Sequence, residues 1–227
     1  MTISIIIPTL NEAENIKSLI EFLKKNNNGQ LRELIVTDGG STDGTPQIAK
    51  AAGAKVFSCT KGRACQMNKG AENATGDILY FVHADSLPPD SFMEDLNNAI
   101  TEGFPIGCFR FKFNSPKKIL KFNSYMTRFD KMYCRGGDQT LYVTRTVFDE
   151  LDGYRDDFKI MEEYDFIIRA RKKYPFKIIP KEVIVSARKY DERSWLRVMI
   201  SNSIVFTMFR NGASQDSMAN MYKRLLG

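Results

Sequence analysis

The apolar positions divide the chain into two regimes. In the first, short apolar runs alternate with helically spaced ones. Ile3 to Ile7 reads as a buried strand that Pro8 ends. Asn11 then opens a helix, with Glu14 completing an N-x-x-E variant of the capping box, and Ile16, Leu19, Ile20 and Leu23 recur on one face. Asn26 to Gly29 breaks that helix. Glu33 to Thr37 is a second strand, followed by the polar loop DGGSTDGT from Asp38 to Thr45. Thr45 caps the next helix, and Pro46 suits its first position. Ala54 to Ser58 is a third strand, Arg63 to Asn73 a helix, and Ile78 to Val82 a fourth, wholly apolar strand. This alternation predicts a parallel α/β sheet.

Beyond residue 105 the periodicity changes. Within Ile106 to Phe113, Cys108 and Arg110 fall on one side and Phe109, Phe111 and Phe113 on the other. That predicts an antiparallel strand with one buried face. Ile119 to Met132 has amphipathic helical spacing, Thr140 to Thr144 is a strand, and Glu162 to Lys173 is a helix. Phe176 to Ile179 is a strand that runs into Val183 to Val185. Trp195 to Phe209 is an apolar helix containing Arg197, Ser201, Asn202 and Ser203, too short and too polar to span a bilayer. Packing on the body or against a second copy is the first expectation for it, with a membrane surface as the alternative. No internal repeat, low-complexity tract or long linker interrupts the chain.

Composition narrows the class. With 43% hydrophobic and 26% charged residues over 227 positions, the chain reads as an ordinary globular protein able to bury its own core. Cys59, Cys65, Cys108 and Cys134 are too scattered for a disulfide framework, and none forms a CxxC pair of the kind a structural zinc site uses. The start, MTISIIIPTLNE, has neither a charged leader nor a cleavage site, so a cytoplasmic location is expected. The charge is uneven. Residues 1–165 carry 20 basic and 23 acidic side chains, whereas residues 166–227 carry 13 and 4. A basic tail on an acidic body suggests an anionic partner near the tail, or a solvated helix face. Nucleic acid is disfavoured, because the tail has few interleaved aromatics and no RNA-module pattern.

In an open parallel sheet, ligands bind beyond the carboxyl ends of the strands. Thr9, Asn11 and Glu12 follow the first strand, Asp38 the second, and His83 and Asp85 the fourth. No G-x-G-x-x-G follows the first strand and no G-x-x-x-x-G-K-[ST] occurs, which disfavours a Rossmann dinucleotide site and a P-loop.

The ordered blocks SIIIPTLNEAENI, VTDGGSTDGT, GDILYFVHADS, GGDQTLYVTRTVF and MEEYDF, over about residues 3–170, resemble the family 2 glycosyltransferases of the glycosyltransferase-A (GT-A) fold. With KGRACQMNKGA and SARKY included, the run most resembles the compact subgroup called radical-SAM/selenodomain-associated transferase 2. The resemblance implies an α/β fold, a mixed but mostly parallel sheet flanked by helices, with C-terminal helices. It implies one domain over residues 1–227: a nucleotide-binding half to about 105, an acceptor and catalytic half over about 106–190, and a helical tail over about 191–227. The implied reaction moves a sugar, with inversion, from a UDP- or GDP-sugar to an unidentified acceptor, assisted by Mn²⁺ or Mg²⁺.

Residue by residue, the resemblance implies that Pro8, Thr9, Asn11 and Glu12 contact base and ribose, and that Asp38 binds the base. Asp38-Gly39 stands where the family often has two acids, and as part of DGG it also fits a turn. His83-Ala84-Asp85 occupies the place of the family's D-x-D motif. Asp85 is then the metal ligand, while His83 either ligates or makes a structural hydrogen bond. Arg63, Gln66 and Asn68 would face the donor, although a helix surface suits them equally. Gly137, Asp138 and Gln139 resemble the acceptor-side loop. Glu162-Glu163 resembles the Glu-Asp pair that supplies the catalytic base, with Glu163 aligned on it and Glu162 still a candidate. Asp165 and Arg169 are placed for a one-turn ion pair, and the whole cluster also suits a helix start. Arg188 and Lys189 would cover the diphosphate or form surface charge. Two alternatives accompany this reading: a peripheral enzyme at the inner membrane face, held by the basic tail and acting on a lipid phosphate, and a nucleotide-binding module without turnover.

Overall fold

The computed structural model describes residues 1–136 and 139–226. The first half forms β1 (Ile3–Thr9), α1 (Ala13–Lys25), β2 (Leu31–Asp38), α2 (Thr45–Ala51), β3 (Lys55–Ser58), α3 (Arg63–Glu72), β4 (Ile78–Phe81), β5 (Ser86–Leu87) and α4 (Phe92–Thr101). The second forms β6 (Ile106–Phe113), α5 (Lys118–Met126), β7 (Leu141–Thr144), α6 (Arg145–Glu150), α7 (Glu162–Arg171) and β8 (Phe176–Val185), then α8 (Arg188–Glu192), α9 (Trp195–Arg210) and α10 (Gln215–Leu226).

Among the described residues the strands form one sheet in the order β3-β2-β1-β4-β7-β6-β8-β5. The pairs β1–β2, β1–β4, β2–β3 and β6–β8 are parallel, and β7 is antiparallel to both of its neighbours. Both faces are covered. Ile5, Ile7, Val36 and Tyr80 pack with Ile16, Leu19, Ile20 and Leu23 of α1. Ile6, Ile35, Leu79 and Phe81 pack with Met67 and Ala71 of α3 and Phe166 of α7. Coverage on two sides explains why these strands read as apolar runs instead of alternating. No helix among the described residues is long and apolar enough to cross a membrane.

Several expectations need correction. Pro8 does not end β1, which continues to Thr9 in register with Asp38. Ile6 accepts from Val82 at 3.0 Å, and Pro8, two residues on, faces the same edge after β4 has ended. A ring without an N–H therefore breaks no ladder bond. Asn11 is not a helix cap: α1 starts at Ala13, and Asn11 sits at φ +56° in the loop before it. The cap of α2 falls on Gly44, one residue before Thr45, with Pro46 in the first turn. β6 is parallel to β8 and antiparallel only to β7. Its first four residues are buried on both faces, because Arg135 covers the Cys108 side and donates to Cys108 Sγ at 3.3 Å. The same guanidinium donates to the carbonyls of Thr127 and Phe129, each at 2.6 Å. The helix expected to Met132 correspondingly stops at Met126. The pattern reading passed over β5, α4, α6, α8 and α10.

Candidate functional site

A cleft of about 740 Å³ opens where β1 and β4 end and α3 begins. Its floor and walls include Pro8, Thr9, Glu12, Arg63, Gln66, His83, Ala84 and Asp85, so eight of the expected residues converge there.

The loop after β2 shapes one side. Asp38 is buried, and its carboxylate is used locally. One oxygen accepts from the hydroxyls of Thr9 and Ser41, the other from the amides of Gly40 at 3.0 Å and Ser41 at 2.8 Å. Asp38 is thus turned into its own loop and does not line the cleft. The same loop caps the start of α1. Ser41, Thr45 and Asp43 accept from the amides of Asn11, Glu12 and Ala13 at 2.8, 2.9 and 3.0 Å. Asn11 answers by accepting from the Thr42 amide at 2.9 Å. These bonds satisfy backbone donors that a helix start leaves open. Gln66 ties the two strand ends together, donating to the carbonyls of Thr9 at 2.7 Å and Thr37 at 2.8 Å.

The opposite side brings in α7. Its first turn carries Glu162 and Glu163, both buried. Glu163 Oε1 lies 3.1 Å from His83 Nε2, and Glu162 Oε1 lies 3.0 Å from Arg63 Nε. Each glutamate therefore stands directly behind a residue of the cleft wall. Burial raises the Glu163 carboxyl, but the hydrogen bond from His83 and the charges of His83 and Arg63 outweigh it and hold the carboxyl below its ordinary value. Glu162 Oε2 is buried without a hydrogen-bond partner among the described residues. Asp165 and Arg169 make the expected one-turn pair at 2.7 Å.

Asp85 follows β4 in a tight turn, with the Ser86 amide donating to the His83 carbonyl at 3.0 Å. No group of three or more His, Cys, Asp or Glu ligands occurs among the described residues. Asp85 shares the cleft lining with Glu12, Asp156 and Asp157, and a carboxylate there suits a hard cation that takes its other ligands from phosphate oxygens and water.

The remaining expected residues lie apart from the cleft lining. Asn68 braces the segment that follows α6: it donates to the Tyr154 carbonyl at 2.7 Å and Asp156 at 2.8 Å, and accepts from the Tyr154 amide at 2.9 Å. Arg188 pairs at 3.4 Å with Glu12, which does line the cleft. Lys189 donates to the Tyr222 hydroxyl and sits 4.9 Å from that ring's centroid. Gln139 is buried and donates to the Phe109 carbonyl at 3.2 Å. Gly137 and Asp138 lie outside the described residues.

Two cleft segments escaped the sequence reading. Thr60, Lys61 and Gly62 follow β3, and Asp156 to Lys159 form the wall that Asn68 supports. The strand-end rule applied to β3 would have found the first. The second follows no strand and had no such signal.

The model of "Glycosyl transferase family 2" matches residues 4–155. The glucosyl-3-phosphoglycerate synthase of Mycolicibacterium smegmatis is 40% identical over 98 residues, 39% of this chain and 32% of that protein. The dolichol-phosphate mannosyltransferase of Pyrococcus furiosus is 32% identical over 112 residues, 47% of this chain and 32% of that protein. The match thus spans about a third of the length of these curated relatives. Among solved structures, glucosyl-3-phosphoglycerate synthase from Mycobacterium tuberculosis in complex with Mn²⁺, UDP-glucose and phosphoglyceric acid superposes with a TM-score of 0.68 at 21% identity, covering 93% of this chain and 80% of that one. That likeness bears on the fold, and the GT-A arrangement is the one found.

Proposed function

This chain belongs to glycosyl transferase family 2, and from that premise we propose that it moves a sugar, with inversion, from a nucleotide-diphospho-sugar to an acceptor hydroxyl. One observation carries the reading. The tandem glutamates of α7, distant in sequence from β4 and α3, sit behind His83 and Arg63, which line the cleft together with Asp85. In this scheme Glu163 accepts the proton of the attacking hydroxyl, a task that needs a carboxylate held ionised at neutral pH. Glu162 fixes Arg63 toward the donor phosphates. Pro8, Thr9 and Glu12 border the nucleotide end. Asp85 is the residue to hold Mn²⁺ or Mg²⁺, which when bound neutralises charge on the leaving diphosphate. The Mycobacterium tuberculosis synthase has been solved with Mn²⁺ and UDP-glucose and with Mg²⁺ and UDP, which supports this metal and donor class. We read residues 1–227 as one catalytic unit, since β4 of the first half pairs with β7 of the second. The subgroup reading rests on the full run of blocks, KGRACQMNKGA and SARKY included.

Calorimetric titration with UDP and GDP, each with Mn²⁺ or Mg²⁺, tests the proposal. A folded sample that binds neither nucleotide with either metal overturns it.

A lipid-surface contact is favoured by a separate observation. Phe122, Tyr125, Phe129 and Tyr133 are exposed on α5 and the turns after it. Lys117, Lys118, Lys121, Arg128 and Lys131 surround them, with Asp130 the one acid between residues 115 and 135. This segment, instead of the basic tail, has the interfacial pattern of cations around aromatics. Flotation with anionic vesicles at low salt measures it, and indifference to such vesicles removes it.

A further inference from the structure

Two of the buried polar atoms that lack a hydrogen-bond partner among the described residues lie behind the cleft: Tyr154 Oη and Glu162 Oε2. Both residues are only 2% exposed, so bulk water does not serve them. A phenol has one proton to donate and a carboxylate only accepts, so the two atoms are complementary.

The fold brings them together. Asn68 grips the Tyr154 backbone, accepting from its amide at 2.9 Å and donating to its carbonyl at 2.7 Å. Arg169 ties the residues just before it to α7, donating to the carbonyls of Leu151 at 2.5 Å and Gly153 at 2.7 Å. The Tyr154 ring is wedged between β4 and α7, its centroid 5.3 Å from that of Phe81 and 4.8 Å from that of Phe166. Phe166 stands one turn after Glu162, and side chains on a helix lean back over the preceding turn. Phe81 stands two residues before His83, which meets Glu163 at 3.1 Å. Electrostatics agree with this placement. Burial first, then the negative charges of Glu163 and Glu162, push the Tyr154 phenol well above its ordinary value, so at neutral pH it keeps its proton.

Packing does not account for the hydroxyl. Phe81, Phe148 and Phe166 form an aromatic cage that a phenylalanine would fill as well, and an unpaired buried hydroxyl destabilises. Glu162 needs what the hydroxyl offers. Its Oε1 holds Arg63 Nε at 3.0 Å, while a donor on Oε2 would fix the plane of the carboxylate and with it the direction of the guanidinium. No direct hydrogen bond joins Tyr154 Oη to Oε2, so one enclosed water makes the link.

We propose that Tyr154 is a positioning residue: its hydroxyl donates, through one buried water, to Glu162 Oε2 and thereby aims Arg63 into the cleft. The role in donor binding rests on the sugar-transfer reading, whereas the Tyr154–Glu162 link does not.

A double-mutant cycle in urea unfolding tests the link. Tyr154→Phe removes only the hydroxyl, and Glu162→Met removes the acceptor at similar length, with Glu162→Gln as the milder partner should the methionine variant not fold. The two changes are expected to depart from additivity by at least about threefold in the unfolding equilibrium constant. An additive cycle overturns the proposal. Calorimetric titration with UDP and Mn²⁺ tests the role. Tyr154→Phe is expected to weaken UDP binding about threefold, and by less than about 1.5-fold when Glu162 is already glutamine. Phe148→Leu disturbs the same cage without touching the hydroxyl, and is expected to lower stability while leaving UDP affinity within about 1.5-fold. UDP affinity unchanged in Tyr154→Phe, or lowered equally in Phe148→Leu, overturns the positioning role. A non-additive cycle in a wild-type protein that binds no UDP upholds the link and overturns the sugar-transfer reading instead.

Discussion

Glutamine at position 163 separates the two glutamates of α7. The substitution keeps the side-chain volume and an oxygen for His83 Nε2, now 3.1 Å from Oε1, and removes only the charge. A general base contributes about 10²–10⁴-fold in rate, or about 2.7–5.4 kcal/mol of barrier at about 1.36 kcal/mol per decade. The structural cost is smaller. A hydrogen bond to a charged partner, worth about 1.5–3 kcal/mol, becomes a neutral one worth about 0.5–1.5, so about 1 kcal/mol is lost. The variant therefore stays folded while its chemistry fails. Release of free sugar from a UDP-sugar with Mn²⁺, measured without acceptor, reports turnover, and calorimetry reports UDP affinity. Glu163→Gln is expected to lose roughly 10²–10⁴-fold in turnover, with UDP affinity within about threefold. Glu162→Gln loosens Arg63 instead and is expected to weaken UDP binding up to about tenfold, with a smaller loss of turnover. The reasoning is refuted if Glu163→Gln retains turnover while Glu162→Gln loses it, which moves the base to Glu162. Measurable sugar release by the wild type, lost in Glu163→Gln, also removes the reading of a binding module without turnover.

Other outcomes follow from the scaffold. Glu33 is buried where it accepts from the Ser4 hydroxyl at 2.8 Å, the Thr75 amide at 2.6 Å and Lys55. Burial raises its carboxyl, but the Lys55, Thr75 and Ser4 bonds outweigh that and hold it at about 2 against an ordinary 4.5. Because the folded value is the lower one, the contribution, at most about 3 kcal/mol, is present above pH ~4.5 and is lost as pH falls toward ~2; urea midpoints should fall through that window in the wild type and change less in Glu33→Gln. Gly107→Ala places a methyl 2.3 Å from the Lys177 carbonyl oxygen and 2.7 Å from the Tyr142 hydroxyl. Thermal melting should show a loss of about 3 kcal/mol or more as β6 is forced from its neighbours. Asn68→Ala removes three hydrogen bonds from the segment at residues 154–156 and should cost about 1–3 kcal/mol, with amide exchange accelerating locally at residues 154–160.

The legible parts were those governed by local pattern. The buried runs at Ile5, Val36 and Tyr80 announced the central strands, and the strand-end rule located Thr9, His83 and Asp85 on the cleft. What stayed hidden depends on contacts distant in sequence. Nothing near Asp38 says that Thr9 and Ser41 will occupy its oxygens. Asn68 looks like a helix-surface amide until Tyr154 arrives 86 residues later. The pocket lined by Arg63, Lys159, Lys189, Arg193 and Lys223 needs α3, α8 and α10 to meet, so the uneven charge was visible and its focus was not. The mistaken capping box at Asn11 has the same origin: α1 is capped by side chains some 30 residues away.

That distant capping has a practical corollary for anyone hoping to re-engineer the loop after β2. The stretch after β2 resembles an exchangeable surface insert, yet Ser41, Asp43 and Thr45 are the hydrogen-bond acceptors on which the first turn of α1 depends. Grafting a foreign sequence there would fray α1 as well as change the loop. Successful swaps will have to transplant the helix start together with the loop, as one cassette.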